Sequence, residues 1–154
     1  MSTPMTPRTL KSDLFGTVGL VESDGTLRIR RDTAPATWWI GPVARHLAAR
    51  EARALGCLDA LDDVPRLCGW NGVWLDREWL PGAPMQQARP QLRSYYRDAL
   101  RILRRMHRAG VVHNDTAKEP NWLVKADGSP ALLDFQLAMR FRGRGRFFRM
   151  LARE

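Results

Sequence analysis

His113-Asn114-Asp115, Asn121 and Asp134 are the side chains of this 154-residue sequence whose types and spacing best suit catalysis. Asn121 follows Asp115 by six residues, and Asp134 follows Asn121 by thirteen. Each stands beside an apolar run: Val111-Val112 before His113, Trp122-Leu123-Val124 after Asn121, and Ala131-Leu132-Leu133 before Asp134. Strand ends on a hairpin bring short polar side chains to one edge. There, two of them can grip a divalent metal through oxygen, and a third can accept a proton from an attacking hydroxyl. Phosphoryl transfer needs that set: ligands for a metal that neutralises phosphate charge, and a carboxylate that orients the nucleophile. Taken singly, His113 reads as a core or turn histidine, Asp134 as a strand-ending cap and Lys118-Glu119 as a solvated pair. Their joint spacing is what argues for chemistry.

VVHNDTAKEPNWLV followed by LLDFQLA resembles the catalytic loop and metal-binding segment of the protein-kinase-like phosphotransferases, H-R-D-x-x-x-x-N and D-F-G. The resemblance implies that Asp115 is the catalytic base, that Asn121 and Asp134 hold Mg2+, and that Lys118 faces the transferred phosphate of ATP. Asn114 stands in place of the motif's Arg, the Asp-to-Asn interval is one residue longer, and Gln136 replaces the Gly of D-F-G. These departures point away from regulated protein kinases. They point toward the compact bacterial branch that includes RIO-like and lipopolysaccharide (Kdo) kinases.

The elements that must position these residues are legible upstream. LFGTVGLVE and TLRIRR flank Ser23-Asp24-Gly25, a hairpin signal. Pro42 suits the first turn of a helix. Val43, Leu47, Glu51 and Leu55 recur every four residues, which predicts a helix over 43–55 with Glu51 inside an apolar stripe. A carboxylate there needs a cation. VPRLCGW and VWLDREWL predict two strands around Asn71-Gly72, and Leu80-Pro81-Gly82-Ala83-Pro84 predicts a linker. Leu92, Tyr96, Ala99, Leu100, Leu103 and Met106 form the stripe of a helix over 90–109, capped by Gly110. By resemblance, Phe15-Gly16-Thr17-Val18 ends a Gly-rich loop in which Gly16 lets backbone approach phosphates, and Lys11 and Asp13 stand near the missing glycines. Leu27-Arg28-Ile29-Arg30 aligns with V-A-I-K, which puts Arg30 at the ATP-binding lysine's place and makes Glu51 its partner. Lys11 is then a second phosphate contact, and Glu78-Trp79-Leu80 the hinge whose backbone, at Leu80 above all, meets adenine.

Composition bounds the rest. Lys and Arg number 25 against 16 Asp and Glu, a net charge of +9, and only Lys11, Lys118 and Lys125 are lysines. Such a balance favours polyanionic partners. Apolar residues at 44% with six Trp argue for a packed core. Two cysteines without metal spacing, no apolar run long enough to span a bilayer and no secretory h-region suggest a cytoplasmic protein. Trp38-Trp39 is expected to bury against the sheet. The basic, aromatic end from Arg140 reads first as a solvated end of chain. Its alternatives are an anionic-membrane anchor through Phe141, Phe147, Phe148 and Leu151, on the inner membrane face, and a thinly supported RNA contact.

The resulting expectation is an α+β chain: a minimal two-lobed protein-kinase-like fold. Residues 1–80 form an N-terminal antiparallel sheet plus the Glu51 helix, and residues 81–154 a truncated helical C-lobe ending in a basic tail, 140–154. The expected function is Mg-ATP-dependent phosphotransfer to a hydroxyl, either Ser/Thr of a protein or a sugar of a lipopolysaccharide precursor. The alternative is a non-catalytic pseudokinase acting as a basic scaffold. Nucleic acid is not the expected partner.

Overall fold

The structure, a computed structural model, describes residues 8–143 and 145–152. It is α+β. Five antiparallel strands form the main sheet: β1 (Arg8–Asp13), β2 (Gly16–Ser23), β3 (Thr26–Asp32), β4 (Leu67–Trp70) and β5 (Trp74–Glu78), in the order β1-β2-β3-β5-β4. Asp24 and Gly25 both have positive φ, 54° and 71°, the conformation a two-residue hairpin demands. In the second hairpin the Asn71 Oδ1 accepts from the Val73 and Trp74 N–H groups at 3.0 and 2.9 Å. β1 has no clear sequence signature, because all six of its residues are exposed and no alternation marks it.

Helix α1 (Gly41–Cys57) packs on this sheet with Pro42 in its first turn. Its buried face runs through Ala44, Ala48, Glu51, Ala52 and Leu55 rather than through the expected Val43, which is exposed. The alanines let the helix lie close to the sheet, so in the first turns the buried stripe runs through Ala44 and Ala48, one residue after Val43 and Leu47, while Glu51 and Leu55 are buried as expected.

The second half begins with β6 (Ala83–Pro84) and the short α2 (Met85–Ala88), then α3 (Arg93–Arg108). β7 (Val111–Val112), a 3-10 turn (Glu119–Asn121), β8 (Trp122–Val124), β9 (Pro130–Leu132), β10 (Met139–Arg140) and α4 (Arg146–Leu151) follow. β6, β8 and β9 form one small sheet, and β7 pairs with β10. α3 buries Tyr95, Ile102, Leu103 and Met106, while Leu92, Tyr96 and Leu100 of the expected stripe are exposed. Gly110, at φ 78°, follows the helix end as expected. A Cβ there would lie 2.6 Å from the Phe141 carbonyl oxygen.

The main apolar cluster joins the two halves of the chain. Leu55, Leu58 and Val64 pack with Ile102, Met106, Val111, Leu132 and Phe135. This core anchors the polar loops that follow β7 and β9. Two expectations are overturned at the surface. Trp38 and Trp39 are 88% and 60% exposed, so neither is buried on the sheet. The end of the chain is not simply solvated: Phe148 is buried, its ring edge-on to His107 and to Phe141. Phe148 is therefore not available to a membrane, whereas Phe147 is half exposed. Arg144 and the last two residues of the tail lie outside the described residues. Among the described residues no helix is long and apolar enough to cross a membrane.

Candidate active site

The loops after β7 and β9 are tied together by backbone. The Leu133 N–H donates to the Asn121 carbonyl at 2.7 Å, which sets Asn121 against the residue preceding Asp134. His113 is fully buried, and its Nε2 lies 2.8 Å from the Leu133 carbonyl. A carbonyl can only accept, so Nε2 carries the hydrogen. Phe135 packs edge-on to the same imidazole, with ring centroids 4.8 Å apart. The apolar strands thus fix one histidine, and the histidine fixes the turn into Asp134.

Asp115 sits at the centre of this arrangement. Lys118 Nζ lies 2.9 Å from its Oδ2. Asn121 Nδ2 donates both to that oxygen, at 3.1 Å, and to the Asp115 carbonyl, at 2.9 Å. Burial pushes the Asp115 carboxyl up, but the hydrogen bonds from Lys118 and Asn121 and the nearby positive charge outweigh it. They hold the carboxyl below the usual carboxylate range. The Lys118 ammonium is raised in turn, by its hydrogen bond to Asp115 and that carboxylate's charge, with Asp134 adding to it. Asp115 is therefore an anion at neutral pH.

Asn114 and Asp134 flank the pair with positive φ, 64° and 60°. Asn and Asp tolerate this region better than other side chains, yet it still costs energy that the surroundings must hold in place. Asn114 is held by an Nδ2 bond to the Leu137 carbonyl at 3.1 Å. Asp134 keeps one buried oxygen, Oδ1, without a hydrogen-bond partner among the described residues.

Asp134 also lines a cavity of about 350 Å3 together with Lys11, Asp13, Phe15, Val18, Arg31 and Gln136. This cleft lies beneath the β1–β2 hairpin and beside α1. Asp115, Lys118 and Asn121 do not line it, so Asp134 is the link between the cleft and the Asp115 cluster.

Glu51 has a different cation from the one expected. It is fully buried and faces Arg31 Nε at 3.3 Å and Arg77 Nε at 3.4 Å. Arg30 instead forms a two-pronged bond to Asp76, at 2.7 and 2.6 Å, and stacks on Trp74, 4.3 Å from the ring centre. The reason is the pleat. Successive residues of a strand point to opposite faces, and in the β3–β5 register Arg30 lies opposite Asp76 while Arg31 lies opposite the buried Leu75. Arg31 is thus on the α1 face and Arg30 on the other. The Arg30–Glu51 pair is corrected to Arg31–Glu51, and Arg30 does not line the cleft.

Arg31 has a second partner that the sequence does not reveal. With its amide oxygen turned toward the guanidinium, Gln136 accepts from Arg31 Nε at 3.1 Å and Nη2 at 2.7 Å. The hydrogen-bond network fixes that orientation, since a guanidinium can only donate. Residue 136 therefore ties the segment after Asp134 to β3 and, through Arg31, to α1.

The remaining expected contacts are placed as follows. Lys11 lines the cleft but is ion-paired with Asp13 at 2.8 Å. Asp13 is held below its ordinary range by that bond and by the Phe15 N–H. Gly16 has φ 120°, and a Cβ there would stand 2.1 Å from the Asp32 carbonyl oxygen. The close approach that requires glycine in the fold is to β3. Glu78 and Leu80 do not line the cleft. The Glu78 N–H is used by the Arg66 carbonyl at 2.9 Å, and the Trp79 N–H meets the Leu27 carbonyl at 3.4 Å.

As a metal site the arrangement fits a hard cation of modest demand. Among the described residues no three His, Cys, Asp or Glu cluster for a metal. Magnesium is commonly held by one or two protein oxygens and completed by phosphate and water, and the orphaned Asp134 Oδ1 is an oxygen of that kind. No protein-family model matches the chain, and no curated protein matches its sequence.

Proposed function

We propose that the protein is a minimal kinase-like phosphotransferase that moves the terminal phosphate of ATP to a hydroxyl acceptor. The observation that carries this reading is the buried Asp134 Oδ1, without a hydrogen-bond partner among the described residues, between a cleft lined by Lys11, Asp13 and Arg31 and the Asp115–Lys118–Asn121 cluster. Magnesium, held by Asn121 and Asp134, would neutralise phosphate charge. Arg31, fixed by Glu51 and Gln136 on the cleft wall, places a guanidinium charge beside the nucleotide phosphates. Lys11 supplies a second cation once it parts from Asp13.

Asp115 accepts a hydrogen bond from the acceptor hydroxyl and orients its oxygen toward the terminal phosphorus. As the new P–O bond forms and the bond to the ADP oxygen breaks, the hydroxyl proton passes to the carboxylate. A carboxyl held below its ordinary range is a weak base, so it works mainly by orientation and takes the proton late. Lys118, beside Asp115, stabilises charge on the group in transfer. The acceptor is a protein Ser/Thr or a sugar hydroxyl.

Asp115→Asn tests this role. ADP formation from Mg-ATP should fall by about 100-fold or more, the usual worth of a positioned acid-base group, with the circular dichroism spectrum unchanged. Equal ADP formation by variant and wild type contradicts it. The second reading, a non-catalytic scaffold, is favoured by one observation: the one lysine that lines the cleft among the described residues is already paired with Asp13.

A further inference from the structure

A second cavity, of about 430 Å3, lies on the far side of α1 from the main sheet's cleft, between that helix and the segment containing β10. His46, Arg50 and Arg53 line it from α1, and Met139, Arg140 and Arg142 from the chain after Asp134. The spacing of His46, Arg50 and Arg53, four and then three residues, puts them on one helical face. Four guanidiniums and an imidazole therefore converge on one concavity, and no carboxylate lines it among the described residues.

Elsewhere the arginines that crowd together have carboxylates between them: Arg31 and Arg77 share Glu51, and Arg97 and Arg101 share Asp98. In this groove none of the four arginines is ion-paired among the described residues. Arg50 is also pre-positioned. Its Nη2 donates to the Leu137 carbonyl at 2.8 Å and to the Ala138 carbonyl at 3.2 Å, which pins the guanidinium to the groove wall. β10 is itself held by pairing with β7. Like charges gathered in one groove repel one another unless an anion joins them, and guanidinium forks match phosphate oxygens two at a time.

We propose that this groove is an anion site for a compact, soluble phosphate compound carrying a diphosphate or phosphomonoester group. Its concavity favours a small ligand; a membrane or a nucleic-acid backbone is better met by a flat or extended basic face. The proposal does not rest on the phosphotransferase reading, because the groove shares no lining residue with the Asp134 cleft.

Calorimetric titration of the full chain with inorganic pyrophosphate, without Mg2+ and at about 0.15 M salt, tests it. Arg53→Gln/Arg142→Gln removes two exposed side chains and leaves Arg50 in place. This pair should weaken the pyrophosphate affinity by about tenfold or more, equivalent to at least 1.4 kcal/mol. Arg93→Gln/Arg104→Gln removes the same charge from the exposed side of α3 and should change it less than about twofold if the effect is local rather than one of net charge. Lys11→Gln, which removes an exposed cation from the Asp134 cleft, should leave the groove's affinity in place. Four results overturn the proposal: no binding; equal losses in the two charge-matched pairs; loss in Lys11→Gln but not in Arg53→Gln/Arg142→Gln; or binding to phosphatidate vesicles with no response to pyrophosphate.

Discussion

Glu51 carries the heaviest constraint of any single side chain. It is a fully buried carboxylate whose two oxygens face Arg31 and Arg77 without an aligned hydrogen bond among the described residues. Removing one member of a buried ion pair strands the others' charge. Glu51→Ala should therefore lower the unfolding free energy by about 3 kcal/mol, read from the urea midpoint at unchanged slope. Arg30 pairs with the buried Asp76 on the opposite face of the sheet, so the losses of Arg30→Gln and Glu51→Ala should add in the double variant. Strong coupling between the two substitutions would contradict the assignment of Arg31 as the Glu51 partner. That Glu51 needs a cation is legible in the sequence, since it falls in an apolar helical stripe. Which arginine answers it is not. β3 reads Thr-Leu-Arg-Ile-Arg-Arg-Asp, with arginine on both faces, so alternation gives no register. Gln136 is invisible for another reason: its role is a contact across 105 residues to Arg31.

At the scale of elements, the β1–β2 hairpin forms the roof of the cleft, and Gly16 sets how closely it approaches β3. A side chain at φ 120° with its Cβ 2.1 Å from the Asp32 oxygen cannot be accommodated without moving the strand. Gly16→Ala should destabilise by on the order of 3 kcal/mol and raise proteolysis within residues 8–16; wild-type stability would show the hairpin free to shift. The Asp24-Gly25 and Asn71-Gly72 turns are legible because each needs a positive φ that few residues supply. The face of α3 is less so. Its apolar residues cover more than one side, and the sequence stripe included Tyr96 and Leu100, which the fold leaves half exposed beside Met85 and Trp122. Trp38 and Trp39 make the same point, since large apolar side chains need not be buried.

At the scale of the whole molecule, one core joins α1, α3 and the strands that carry the polar loops, so stability and site geometry are coupled. Tyr95 is buried on α3 as well, outside that cluster. Its hydroxyl donates to the Leu123 carbonyl at 3.1 Å, and burial, with Tyr96 adding, pushes its pKa from 10.0 up to about 12. The folded state thus favours the protonated phenol, and its contribution is complete below pH 10 and lost as pH rises toward about 12. Tyr95→Phe should flatten the fall in stability over that window, measured by urea unfolding at a series of pH values; an unaltered slope would show that other groups dominate. At the acid end the sign reverses. Asp115, whose pKa is lowered, contributes stability above its ordinary pKa that disappears as pH falls through the lower folded value.

The central claim is that Asp134 belongs to a nucleotide-metal site, and thermal unfolding with ATP, with and without Mg2+, tests it most directly. A ligand that binds only the native state raises the midpoint by mass action. The account predicts a rise that requires both ATP and Mg2+ in the wild type and is lost in Asp134→Asn. No rise at millimolar ATP, or an equal rise in Asp134→Asn, would contradict it.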